Sequence, residues 1–160
     1  MAVQNSTQIA NLVAVPKVEL SVKQRDGRVR IARFDFTQSG AGSAADEANL
    51  CDLPAGARIL AGLSYLRNSA SVGTQTLSLG TRAHKNAQTQ ATIAENATRF
   101  WNVSTAGATA GFYRMADSNG AAFTDDQDTV LGEARVFVRF GTAGPANGQK
   151  ITGEFAYVVD

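Results

Sequence analysis

One cysteine, one histidine and one tryptophan occur among 160 residues, and each scarcity removes a class of chemistry. Cys51 alone excludes an intrachain disulfide framework and any multi-cysteine metal site. It is expected to act as a small apolar residue in or beside a strand. His84, the one imidazole, has Arg82 and Lys85 for neighbours, which disfavour both a metal ion and a protonated ring. A solvated loop histidine is the expectation, and no nucleophile elbow accompanies it. No apolar run approaches the roughly 18 residues of a membrane-spanning helix, and no basic stretch leads into an apolar one near Met1, so the chain is expected to be made and kept in solution. On that expectation the Asn-x-Ser/Thr matches at Asn5, Asn96 and Asn102 carry no glycan. Charge is also sparse and balanced, 18% of residues and a net +1, so no global field directs the chain to nucleic acid or to an anionic membrane. Few charges and many Ala, Gly, Ser and Thr residues fit a chain that covers much of its surface in an assembly.

What is present is β pattern. A chain of this length hides roughly 68–70% of its unfolded surface and is most simply one domain. The stretch Leu53–Leu66 organises the reading: Pro54 and Gly56 make a turn, and from Ala57 onward both alternating faces are largely apolar. That suits a central strand covered on each side, or one whose Leu60, Tyr65 and Leu66 meet a subunit neighbour. Towards the C-terminus, Ala134, Val136, Val138 and Phe140 alternate with Arg135 and Arg139, and Ile151, Phe155, Tyr157 and Val159 alternate with Lys150, Thr152 and Glu154. These are two strands with one face in and one out. Arg28–Gln38 is another strand, whose parity switch between Ile31 and Phe34 predicts a bulge or burial on both sides. Val72–Thr81 and Ala108–Ala116 read as further strands. Ala91–Asn102, with Ile93, Ala97, Phe100 and Trp101 at helical spacing, is the one predicted helix. Seven or eight short strands predict an all-β, antiparallel β-sandwich of jelly-roll type. Residues 25–160 form this single domain, and residues 1–24 an extended arm ending in a short strand, Val18, Leu20 and Val22 alternating with charged and polar residues.

Sites for chemistry are hard to assemble. Gly40-Ala41-Gly42-Ser43-Ala44-Ala45 has the letters of a dinucleotide fingerprint, yet no acidic residue stands between Asp52 and Glu95 to hold a ribose. No cofactor is expected. Asp125-Asp126-Gln127-Asp128, with Asp117 and Asn119 upstream, fails the EF-hand spacing and reads as a solvated turn, a loop calcium site being the alternative. Phe100-Trp101 and Phe112-Tyr113 suit a stacking platform for sugars or bases, although core packing is the commoner use of such residues.

The order Gly27-Arg28-Val29-Arg30, a small-residue loop, Leu53-Pro54-Ala55-Gly56-Ala57-Arg58-Ile59-Leu60 and Leu77-Ser78-Leu79-Gly80-Thr81 follows an arm with Asn5-Ser6-Thr7-Gln8 and Asn11-Leu12-Val13-Ala14. Over most of residues 1–82 this resembles a group of small structural proteins of tailed-bacteriophage virions. The resemblance implies a non-enzymatic capsid decoration, or cement, protein, made in the host cytoplasm and carried on the capsid surface. It would bind the major capsid protein, with no part for nucleic acid or membrane, and form a homotrimer. The arm would reach the capsid through Gln8, Ile9, Leu12, Val13 and Val15. A head-fibre base, neck or tail component on the same fold is the first alternative. A carbohydrate-binding sandwich using Trp101, Tyr113 and the Asp125–Asp128 loop is the second.

Overall fold

The two amphipathic C-terminal segments are the central strands of two different sheets, and everything else is arranged beside them. In the computed structural model, which describes residues 28–103, 109–115 and 129–159, the strands are β1 (Val29–Thr37), β2 (Glu47–Leu53), β3 (Arg58–Ile59), β4 (Tyr65–Asn68), β5 (Thr76–Thr81), β6 (His84–Lys85), β7 (Thr92–Ile93), β8 (Asn96–Val103), β9 (Gly111–Arg114), β10 (Ala134–Gly141) and β11 (Lys150–Val158). The first sheet runs β1-β11-β4-β9, with β3 also on β11. The second runs β2-β10-β5-β8, and β6 and β7 pair as a separate hairpin. Every described pairing is antiparallel.

Setting aside the two-residue strands leaves eight. Numbered along the chain, the first, eighth, third and sixth make one sheet and the second, seventh, fourth and fifth the other. Only the fourth and fifth are both neighbours in sequence and partners in a sheet. This is the jelly-roll order, two sheets wound together from nested antiparallel pairs, and it meets the fold class expected from the sequence. The core lies between the sheets. Phe34, Phe100 and Phe155 meet there, with ring centroids 5.8 Å apart for Phe34–Phe155 and 5.2 Å for Phe100–Phe155. Leu77, Leu79, Val136, Val138 and Ile151 are fully buried around them.

Three expectations are corrected. The stretch 57–66 is not one strand. It breaks into β3, a 3-10 turn over Ala61–Leu63 and β4, and both strands lie on the same edge of β11. The break is stabilised by Ser64: the Ala156 N–H donates to its hydroxyl oxygen (3.0 Å), and the hydroxyl donates to the Leu60 carbonyl (2.9 Å). A side chain thus replaces a backbone partner the ladder loses, so no buried N–H is left unpaired. The doubly apolar pattern comes from a parity change at this break, not from one strand covered on both sides.

Residues 91–102 contain β7 and β8, not a helix. The register of β8 against β5 shifts between Leu79 and Thr81. Gly80 permits it, since a Cβ there would overlap the Asn96 carbonyl oxygen. The shift lets the adjacent Phe100 and Trp101 both turn inward, which produces the helix-like spacing of apolar residues. In β1 the register against β11 is unbroken, so no bulge explains its parity switch. Phe34 faces the core, whereas Val29 and Ile31 lie exposed on the opposite face.

The turn at Pro54–Gly56 is as expected. Ala57 N–H donates to the Pro54 carbonyl (3.2 Å), and Gly56 has φ +79°, a conformation that favours glycine. The arm (residues 1–24) and the Asp117–Asn119 and Asp125–Asp128 motifs fall outside the described residues.

Candidate interaction face

The outer faces of the two sheets differ in how completely their own side chains use their charges. On the second sheet Phe137 points outward from β10 yet is fully buried. The Arg82 and Arg139 guanidiniums lie over its ring, 4.0 and 5.6 Å from the centroid. Each also pairs with both Glu47 and Glu95. Beside this lattice Arg135 holds Asp52 through two hydrogen bonds of 2.8 and 3.1 Å. The arginines therefore cover an aromatic ring and meet their counter-charges within the fold.

Burial pushes the Glu47 carboxyl up, but the hydrogen bonds from Arg82 and Arg139 outweigh it and hold the group below its ordinary 4.5. The Arg135 hydrogen bond similarly holds Asp52 below its ordinary 3.8. A depressed carboxyl stabilises the fold above its unfolded pKa, and that contribution is lost as pH falls through the folded value. Urea midpoints are therefore expected to fall between about pH 7 and about pH 3. Glu47→Gln should be less stable than the parent at the higher pH and converge with it at the lower. Parallel pH dependences would show that the lattice contributes nothing.

The first sheet is open. Register places Arg33, Glu154, Tyr65 and Arg114 in one row across β1, β11, β4 and β9, and Asp35, Thr152, Arg67 and Phe112 in the next. Tyr65 and Phe112 are diagonal neighbours and stack, with centroids 4.7 Å apart and planes at 28°. Phe112 remains 56% exposed, and Leu63, in the adjoining 3-10 turn, 62%. A shallow groove beside the stack is lined by Arg33, Asp35, Tyr65, Thr152 and Glu154, with Phe34 at its floor. Only Arg33 among these cations is in a described ion pair, with Glu154 at 3.1 Å.

The residues expected at a subunit interface divide. Leu60 and Tyr65 are half-buried and can still meet a neighbour. Leu66 cannot: it is 1% exposed within this chain's own core, because β4 alternates and sends it inward while Tyr65 points out. The arm residues Gln8, Ile9, Leu12, Val13 and Val15 lie outside the described residues.

Other expectations resolve individually. Trp101 is 1% exposed and packs against Tyr113, centroids 5.6 Å apart, so it offers no stacking surface to a sugar. Among the described residues the exposed aromatic is Phe112, which alternation separates from Tyr113. His84 is not solvated. It sits in the β6–β7 hairpin at 8% exposure, with Nδ1 2.8 Å from the Arg82 carbonyl oxygen, to which it donates. Cys51 packs beside the core in β2, where burial, then the charge of Asp52, pushes its thiol up to about 12 and leaves it unreactive. Among the described residues no group of three or more His, Cys, Asp or Glu could hold a metal ion.

The same architecture occurs in two solved phage capsids. The chain superposes on one from the capsid of Ralstonia phage GP4 with a TM-score of 0.62 and 22% identity, covering 83% of this chain and 85% of that one. It superposes on one from the cyanophage Pam1 capsid asymmetric unit with a TM-score of 0.57 and 21% identity, covering 100% of both. At these identities the likeness is one of fold: an antiparallel jelly-roll sandwich. No family model matches the chain, and no curated protein matches it.

Proposed function

We propose that this chain is a virion structural protein that decorates and braces a bacteriophage capsid by binding its major shell protein, without catalysis. The observation that carries this reading is the end-to-end likeness to a chain of the cyanophage Pam1 capsid, supported by the partial one to the GP4 capsid. The open aromatic face agrees with it, since burial of such a face requires a partner. Residues 1–24 act as an arm that orders on the shell and buries Ile9, Leu12, Val13 and Val15 there, at an entropic cost. Assembly as a homotrimer repeats each weak contact, and avidity sets retention.

Two measurements test this. Light scattering gives the mass of the purified protein, expected to be that of a trimer. Mixing with expanded empty shells and pelleting is expected to show saturable, symmetric co-sedimentation. Deleting residues 1–15 should abolish retention while leaving a folded sandwich. A truncated chain that stays fully on shells would remove the arm from the mechanism. A full chain that ignores shells but binds a neck or tail ring would move the protein to that part of the virion.

A further inference from the structure

We infer that the outer face of the first sheet, centred on the Tyr65–Phe112 stack and rimmed by Arg33, Arg67 and Arg114, docks the folded domain onto an acidic patch of the shell protein. This rests on the proposed virion role and adds to it a surface and the chemistry of its partner. The stack is carried by β4 and β9, so its geometry is set by strand pairing and not by a loop. Aromatic and arginine side chains on a rigid surface are the residues that dominate protein interfaces.

Charge selects the occupant. By register Arg33, Arg58, Arg67, Arg114 and Lys150 share this surface with Asp35 and Glu154, five cations against two carboxylates. Among the described residues, Arg67, Arg114 and Lys150 have no ion pair. The other sheet meets its charges internally. A two-fold contact of this face with itself would bring like charges together, because such an interface presents the same patch from both sides. An acidic partner meets the surplus. The assignment takes Tyr65 from the copy–copy interface and gives it to the shell.

The test uses the full chain and expanded empty shells assembled from the major shell protein. Phe112→Ser and the double variant Arg67→Glu/Arg114→Glu alter exposed positions, and circular dichroism and solution mass check that each remains folded and keeps its oligomeric state. Each is expected to weaken co-sedimentation roughly tenfold or more at unchanged mass. Parent binding should weaken with added salt, since exposed charge pairs are screened. Variants that pellet like the parent overturn the inference. A drop in solution mass overturns it too, by showing that the face joins copies of this chain. If the unmodified chain fails to pellet, the shell-binding reading falls and takes this surface with it.

Discussion

Replacing Gly153 by alanine is expected to destabilise the sandwich by about 2–3 kcal/mol, a large loss for one added methyl group. Gly153 lies in the middle of β11, between β1 and β4, opposite Phe34 and Leu66. A Cβ there would overlap the Tyr65 carbonyl oxygen and lie 2.5 Å from the Phe34 ring. Neither neighbour can yield cheaply. The Tyr65 carbonyl belongs to the backbone that pairs with β11, and Phe34 is wedged against Phe155 in the core. The ladder would have to open or the aromatic cluster shift. Urea unfolding at fixed protein concentration measures the loss, because association would make any midpoint concentration-dependent. An unchanged slope with a lowered midpoint is the expected result. Parent-like stability would mean that the β4–β11 edge moves aside freely, and the case for a rigid Tyr65–Phe112 face would weaken with it.

How the sequence discloses this fold follows from where its registers slip. In β10 the inward set Ala134, Val136, Val138 and Phe140 is buried as alternation predicts, because that stretch is regular against β5. The same rule misreads 57–66 and 91–102. At both, a shift of pairing changes which parity points inward, and a period count cannot distinguish a shifted strand from a doubly buried strand or a helix. What marks each shift is a contact between distant residues: Ser64 with Ala156, and Gly80 with Asn96. Composition contains neither.

The candidate face was partly legible. The apolar pattern of 57–66 points to Tyr65 as an interface residue, though for a different partner. Phe112 and Tyr113 read as one platform by adjacency, but neighbours in a strand face opposite ways, so alternation of Phe112 and Arg114 against Tyr113 and Met115 already separates an outer pair from an inner one. Pairing that outer pair with Tyr65 and Arg67 required the β4–β9 register, which joins segments more than forty residues apart. His84 shows the reverse error. Its cationic neighbours suggest solvent, yet within the β6–β7 hairpin it is buried.

Gln149→Leu is expected to cost about 2–4 kcal/mol although it places an apolar side chain of similar size in a buried position. Gln149 is 1% exposed, at the end of the loop that leads into β11. Its amide donates to the Asn68 and Gln75 side-chain oxygens, both at 2.8 Å, and its own oxygen accepts from the Ala146 N–H at 2.9 Å. Gln75 in turn donates to the Gly144 carbonyl at 2.8 Å, and Asn68 to the Ala70 carbonyl at 2.8 Å. Three buried carboxamides therefore tie the 142–149 loop to the end of β4 and to the approach to β5. Leucine restores the volume but leaves two acceptors and a backbone N–H without this partner, and the desolvation of those groups then goes uncompensated. Gln149→Glu separates shape from bonding: it keeps the acceptor for Ala146 and loses the donor to Asn68 and Gln75. It should fall between parent and leucine variant at low pH, where its carboxylic acid can donate one hydrogen bond, and lose that advantage on ionisation. Equal stability of leucine variant and parent would show that packing alone closes this end of the sandwich.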